Sequence, residues 1–184
     1  MKSPSKPYFW IVLYEAEIKG IKVSAENALS HITELVEKLM QHAEETPHGI
    51  IGLCVAIHGL VDQEEIVFTP NYTLQSDLKV QLEDVYPFYV HLENEANLAA
   101  LGEYTFGSSS DSVVSLSIHT GIGAGIVENG KLRTGKTGKA GEIGHSILYP
   151  DGRKCPCGNE GCLEQYASHQ AIYSELEQML AVPD

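Results

Sequence analysis

Three of the chain's four cysteines fall in one short stretch, "KCPCGNEGC", as Cys155, Cys157 and Cys162, and His145 lies upstream in "GEIGHSILYPDGRKC". Three soft sulfurs and one imidazole suit a tetrahedral metal, with zinc the natural occupant. A site with four protein ligands keeps no open position for water or substrate, so such a metal holds a loop in shape rather than performing a reaction. Gly158 and Gly161 would give the C-x-C-G-x-x-G-C loop the positive φ angles that other residues resist. Reduced cysteines without a metal are the alternative reading.

A second constellation surrounds the first. Glu142, His145 and Glu164 flank the cysteine loop, and Asn94 and Glu95 arrive from the end of a different strand. Carboxylates, an amide and an imidazole are what a polyhydroxylated ligand needs, because each hydroxyl both donates and accepts. A sugar is the natural guest, and His145 could bind the metal through one ring nitrogen while offering the other to a hydroxyl. Taken singly, any of these residues reads equally as a solvated surface group. In "HTGIGAGI", Thr120, Gly121, Gly123 and Gly125 follow a strand and either expose amides that cradle an anion or form a tight hairpin that needs small residues. The other histidines, His31, His42, His48, His58, His91, His119 and His169, show no ligand spacing and are assigned no chemistry.

These residues need a scaffold, and the pattern describes one. Residues 7–23, rich in aromatic and β-branched types, predict one or two strands. Ser24 is the expected N-cap of a helix running to about Ala43, with Ala28, Leu29, Ile32, Leu35, Val36, Leu39 and Met40 forming one apolar stripe. "HGIIGLCVAIHG" predicts a strand buried on both faces. "EEIVFTP" predicts a shorter strand, "SDLKVQLEDVY" a helix, "PFYVHLEN" a strand and "EANLAALGEY" a helix. "VVSLSIH" is a further strand, "IVENGKLRTG" a hairpin with Asn-Gly at its turn, and residues 163–180 a helix. The alternation argues for an α/β fold with a lobe boundary near Asn94.

Composition narrows the function. Lys plus Arg number 12 against 25 Asp plus Glu, a formal charge of -13, so the surface should repel phosphate backbones and any DNA contact needs a separate basic module. No apolar run approaches the roughly 20 residues of a membrane helix, and "MKSPSKPYFW" does not read as a secretory signal. The expected address is cytoplasmic, where cysteines stay reduced and a cluster of them favours metal over disulfides. Cys54, alone in "IIGLCVAI", is expected to fill core.

The stretches "ENEANLAALGE", "TGIGAGIVENGKL", "GKAGEIGH" and "CPCGNEGCLEQYAS" occur in the order and spacing typical of the ROK family (repressors, open reading frames, kinases), and the resemblance runs from about Ile50 to Ser168. It implies the actin-like ATPase, or ribonuclease H-like, fold: two α/β lobes with a sugar in the cleft, here residues 1–93 and 94–184, each partial. It also implies that His145, Cys155, Cys157 and Cys162 are zinc ligands and that Asn94, Glu95, Glu142, His145 and Glu164 contact sugar. Thr120, Gly121 and Gly123 match the second phosphate-binding segment of the kinase members, and His58 stands where a proline is usual.

Departures from the family pattern separate regulator from kinase. No segment resembling the kinases' D-x-G-G-T-K precedes Val23. Glu95 occupies the position of the kinases' aspartate, the general base; its extra methylene shifts the carboxylate by about 1 Å, a misplacement that can cost on the order of a hundredfold in rate. "ENEAN" resembles the xylose-repressor branch. The helix-turn-helix of repressor members and their C-terminal elements have no counterpart here, so the chain reads as an incomplete member. The expected function is the sugar-binding effector domain of a ROK-type transcriptional repressor of carbohydrate metabolism, a homodimer reaching DNA only through a helix-turn-helix absent from this chain. The alternative is an ATP-dependent, glucokinase- or fructokinase-like sugar kinase with Glu95 as base and magnesium-ATP on Thr120, Gly121 and Gly123.

Overall fold

The apolar stripe forms α1 (Ala28–Met40), although its entry differs from expectation. Asn27, not Ser24, precedes the helix, and its side chain accepts from the Ser24 amide at 2.8 Å while donating to the Lys22 carbonyl at 2.9 Å. The entry is therefore fastened backwards rather than capped forwards. The computed structural model describes residues 12–42, 48–70, 72, 74–107 and 110–181, so the expected helix end at Ala43 lies outside the described residues, as does the 7–11 part of the expected first strand. Residues 12–23 form no strand, and Val12 and Leu13 are exposed. A β-rich composition becomes a strand only where a neighbour's amides and carbonyls are available to pair.

The chain divides into two compact units, residues 1–95 and 96–184, each described in its own frame. In the first, β1 (Gly52–Ile57) and β4 (Tyr89–Asn94) pair in parallel, with Ile57 opposite Asn94. The parallel crossover contains the antiparallel hairpin β2 (Leu60–Asp62) and β3 (Glu65–Phe68), followed by α2 (Leu78–Val85). Val36, Ile57, Val61, Leu78, Leu82, Val90 and Leu92 close the core, with Leu53 and Val55 packed against it; each fully buried aliphatic contributes about 1.5–3 kcal/mol. The core covers one face of β1 only. Gly52, Cys54 and Ala56 are exposed on the other, which corrects the expectation of a strand buried on both faces and of Cys54 as core filler.

In the second unit α3 (Glu95–Gly102), whose first residue closes the first unit, leads through a π-helical turn at Glu103–Gly107 into β5 (Ser112–Ile118). Antiparallel pairing continues through β6 (Ile122–Glu128) to β7 (Lys131–Leu132), with Asn129 and Gly130 in the left-handed region at the expected turn. Alanines and glycines explain each other here. A Cβ on Gly125 would lie 2.2 Å from the Ala96 carbonyl oxygen and 2.6 Å from the Ala100 Cβ, so the helix reaches the strand through small residues on both sides. The helix expected over 163–180 is two, α4 (Glu164–Ala167) and α5 (His169–Leu180). Ser168 breaks it with extended backbone and caps α5, its hydroxyl accepting from the Ala171 amide at 3.1 Å. Among the described residues no helix is long and apolar enough to cross a membrane.

Candidate metal centre and ligand site

The cysteine loop is built by its backbone before any metal is considered. The Cys155 amide donates to the Asn159 carbonyl and the Gly158 amide to the Cys155 carbonyl, while isolated bridges join Lys154 to Glu160 and Ile147 to Cys162. Gly158 and Gly161 take φ of 94° and 79°, as the loop's length requires. The Leu163 amide then donates to the Ser146 carbonyl, fastening the loop's exit to the segment that carries His145.

This folding gathers His145, Cys155, Cys157 and Cys162, whose ligand atoms all lie within 4.8 Å of one another. Cys155 Sγ stands 3.5 Å from His145 Nδ1, and Cys157 Sγ 3.7 Å from Cys162 Sγ. A tetrahedral centre with metal–sulfur bonds of about 2.3 Å and a metal–nitrogen bond of about 2.0–2.1 Å would need separations of about 3.5 and 3.8 Å, so the donor set fits. The protonation chemistry agrees. Burial, followed by the neighbouring Cys157 and Cys155, pushes the Cys162 thiol up to about 12. Burial also raises Cys155, whereas at Cys157 burial is outweighed by the Asn159 amide and the adjoining thiols, and that thiol is lowered. Three thiolates packed this closely need a cation among them. The group can hold a metal ion.

The neighbouring carboxylates are placed by close backbone approaches. Gly141 and Gly144 press the 141–145 segment onto β6: a Cβ would lie 1.9 Å from the Ala124 carbonyl oxygen at the first and 2.1 Å from the Ile122 carbonyl oxygen at the second. The Ala124 amide donates to the Gly141 carbonyl at 2.9 Å. A single 3-10 turn, Ile143–His145, then sets Glu142 Oε2 3.7 Å from His145 Nε2. His145 thus turns Nδ1 to the thiols and Nε2 to a carboxylate, the usual way a metal-bound imidazole is oriented. Glu164, at the head of α4, accepts from the Ile122 amide through Oε2 at 2.9 Å. Glu142, His145 and Glu164 are all anchored on or beside β6.

Thr120 and Gly121 form the turn between β5 and β6, where the His119 amide donates to the Gly121 carbonyl at 2.9 Å. Gly123 lies within β6, where a Cβ would lie 3.2 Å from the Ala96 Cβ. Asn94 and Glu95 belong to the first unit. Asn94 Nδ2 donates to the Gly59 carbonyl at 2.7 Å, its amide donates to Glu93 Oε1 at 2.8 Å, and Glu95 is exposed at the start of α3. Two supporting residues escape a reading by motif. Gln165 Nε2 donates to Cys155 Sγ at 3.6 Å. Arg153 donates to the Gln165 carbonyl at 2.8 Å and to Glu175 at 3.0 Å, with its guanidinium 4.7 Å above the Tyr166 ring, clamping the loop to both C-terminal helices.

A family model described as the ROK family matches residues 12–182. The chain belongs to the ROK family. It has the actin-like ATPase fold of that family. It is 39% identical over 150 residues to the xylose repressor of Bacillus subtilis (strain 168), covering 79% of this chain and 39% of the repressor. A ROK family glucokinase from Streptomyces griseus, solved in complex with glucose and AMPPNP, is 36% identical with a TM-score of 0.74, over 84% of this chain and 50% of that one. A ROK family transcriptional regulator, described as a homolog of the E. coli MLC protein, is 31% identical with a TM-score of 0.73, over 88% of this chain and 43% of that one. The ROK chain therefore spans half or less of the length of these three relatives.

Proposed function

We propose that this chain is the sugar-binding effector portion of a ROK-type transcriptional repressor of carbohydrate metabolism. Its ligand is a monosaccharide, held by Asn94, Glu95, Glu142, His145 and Glu164, and residues 1–93 and 94–184 are the two partial lobes. A structural zinc on His145, Cys155, Cys157 and Cys162 fixes the imidazole's orientation and keeps Glu142 and Glu164 in place. The reading rests most directly on Glu95, which stands exposed at the head of α3 where kinase members carry aspartate. The similarity to the Bacillus subtilis xylose repressor supports it. Sugar binding would bias a DNA-binding module elsewhere in a homodimeric repressor between two arrangements, to the extent that the sugar binds one more tightly. Calorimetry against a panel of aldoses and amino sugars is the test: saturable binding of at least one is expected, and silence across the panel overturns the reading.

The second reading is an ATP-dependent sugar kinase, favoured by the likeness to the Streptomyces griseus glucokinase. It places magnesium-ATP on Thr120, Gly121 and Gly123 and makes Glu95 the base. ADP release that requires sugar and disappears in Glu95→Gln would establish it in place of the first.

A further inference from the structure

His58 and Gly59 make the turn between β1 and β2, on the edge of the β1–β4 pair where Asn94 and Glu95 emerge, since Ile57 is in register with Asn94. Ligands of α/β sheets gather at this carboxyl edge of parallel strands. Both residues of the turn are gripped. The Gly59 carbonyl accepts from Asn94 Nδ2 at 2.7 Å, and the His58 amide donates to the Tyr72 hydroxyl oxygen at 3.0 Å. Gly59 is also pressed against the chain after β3, where a Cβ would lie 2.3 Å from the Phe68 carbonyl oxygen. The Tyr72 phenol is half-buried beside this turn, and burial, with a smaller contribution from the Glu95 charge and against the His58 amide, raises its pKa above the ordinary tyrosine range, so the phenol keeps its proton.

A phenol carries one proton and can accept as well as donate. With the His58 amide occupying the oxygen as acceptor, the hydroxyl proton remains to be given away, and among the described residues no acceptor takes it. Glu95, the nearby carboxylate, is acceptor-only when ionised. A donor and an acceptor on one edge match the two needs of a single sugar hydroxyl. We propose that Tyr72 is a ligand-contacting, specificity-determining residue, its hydroxyl oriented by the His58 amide so that it donates to a sugar hydroxyl which donates in turn to Glu95. This rests on the effector reading and deepens it. It also accounts for His58 in place of the usual proline: proline has no amide proton and would leave the phenol oxygen without its donor. His58 acts through its backbone, so the imidazole itself is dispensable.

The test is calorimetry on the full chain with D-xylose, D-glucose and their monodeoxy analogues, using wild type, Y72F, H58A, H58P and the Y72F/H58P double variant. For whichever sugar binds, Y72F should weaken affinity about tenfold, the order expected for a lost hydrogen bond. H58A, which keeps its amide proton, should match wild type, and H58P should weaken binding as Y72F does, with no further loss in the double variant. One monodeoxy analogue should bind wild type and Y72F equally, which a merely structural role for Tyr72 would not produce. Y72F with wild-type affinity, or a Y72F loss uniform across all analogues, overturns the contact while leaving the effector reading intact. A wild type that binds neither parent sugar overturns the contact for these ligands, and silence over the wider aldose panel overturns the effector reading as well.

Discussion

Gln165 illustrates how much a single side chain can contribute without being a ligand. Its amide donates to Cys155 Sγ, and a hydrogen bond to a thiolate stabilises the charged form that a metal requires. Gln165→Leu keeps the volume and removes the donor. Loss of such an outer contact lowers metal affinity by about ten- to a hundredfold, and competition with a chromophoric chelator would measure it; an unchanged affinity would show that Gln165 only packs. In the first unit, Glu64 performs a comparable service for the backbone. Gln63 and Glu64 both occupy the left-handed region, φ 50° and 65°, at the tip of the β2–β3 hairpin, without the glycine or asparagine usual there. The strain is held by contacts from Glu64 to Lys79, Tyr89 and His91, the last at 2.7 Å.

The same contacts give Glu64 a measurable acid signature. The Lys79 ammonium first, then the Tyr89 hydroxyl, hold its carboxyl down at about 2, against burial. An unfolded glutamate titrates near about 4.3. The depressed folded value means the stabilisation is fully present above that pH and is lost as pH falls from about 4.3 towards about 2. Urea unfolding between these limits should therefore show a steeper loss of stability in wild type than in Glu64→Gln. Equal slopes would place the clasp's worth elsewhere.

At the scale of elements, the segment 141–145 depends on contact between backbones. Gly141, at φ 91°, has its missing Cβ 1.9 Å from the Ala124 carbonyl oxygen. Gly141→Ala forces the segment off β6, combining left-handed strain with overpacking against main chain, and should cost about 2–4 kcal/mol. Because His145 rides on the same turn, metal content should fall together with the chemical-denaturation midpoint; a variant that keeps both would show that the segment can shift freely.

Local spacing made part of this architecture readable and hid the rest. Cys155, Cys157 and Cys162 lie in one loop, and Glu142 shares a turn with His145, so the residue types alone announced the cluster. The hairpin turn at Asn129 and Gly130 is equally local. What escaped depends on distant partners. Nothing in "IIGLCVAI" reveals that the core covers one face of β1 and leaves Cys54 exposed, because that is decided by where α1 and α2 settle. Residues 12–23 have the composition of a strand, yet they form none, because composition does not supply a pairing neighbour. Ser168 was readable as a cap only once the helix was seen to restart there. The Tyr72 hydroxyl meets the His58 amide across fourteen positions, with no motif to mark it.

Across the whole molecule, the candidate metal-binding cluster belongs entirely to one unit. All four ligands lie between His145 and Cys162, whereas the first unit's core is assembled from Val36, Ile57, Leu78, Leu82, Val90 and Leu92. Metal binding at a site of this kind is folding free energy for the segments it joins, and stability is distributed unevenly enough for the segments to report separately. Removing the metal with a chelator should therefore loosen the amides of Cys155, Gly158 and Leu163, whose acceptors Asn159, Cys155 and Ser146 all belong to the joined stretches. Their hydrogen exchange should quicken by about a hundredfold or more, the equivalent of several kcal/mol of lost local order. The amides of Val90 and Leu92, in β4, should exchange at their former rates. Hydrogen-exchange mass spectrometry before and after chelation distinguishes the outcomes. Faster exchange confined to the second unit supports a metal that shapes one loop; no change anywhere means the backbone bonds of the loop suffice without it. Equal loosening in β4 would overturn the confinement of the metal's effect to the loop that carries its ligands.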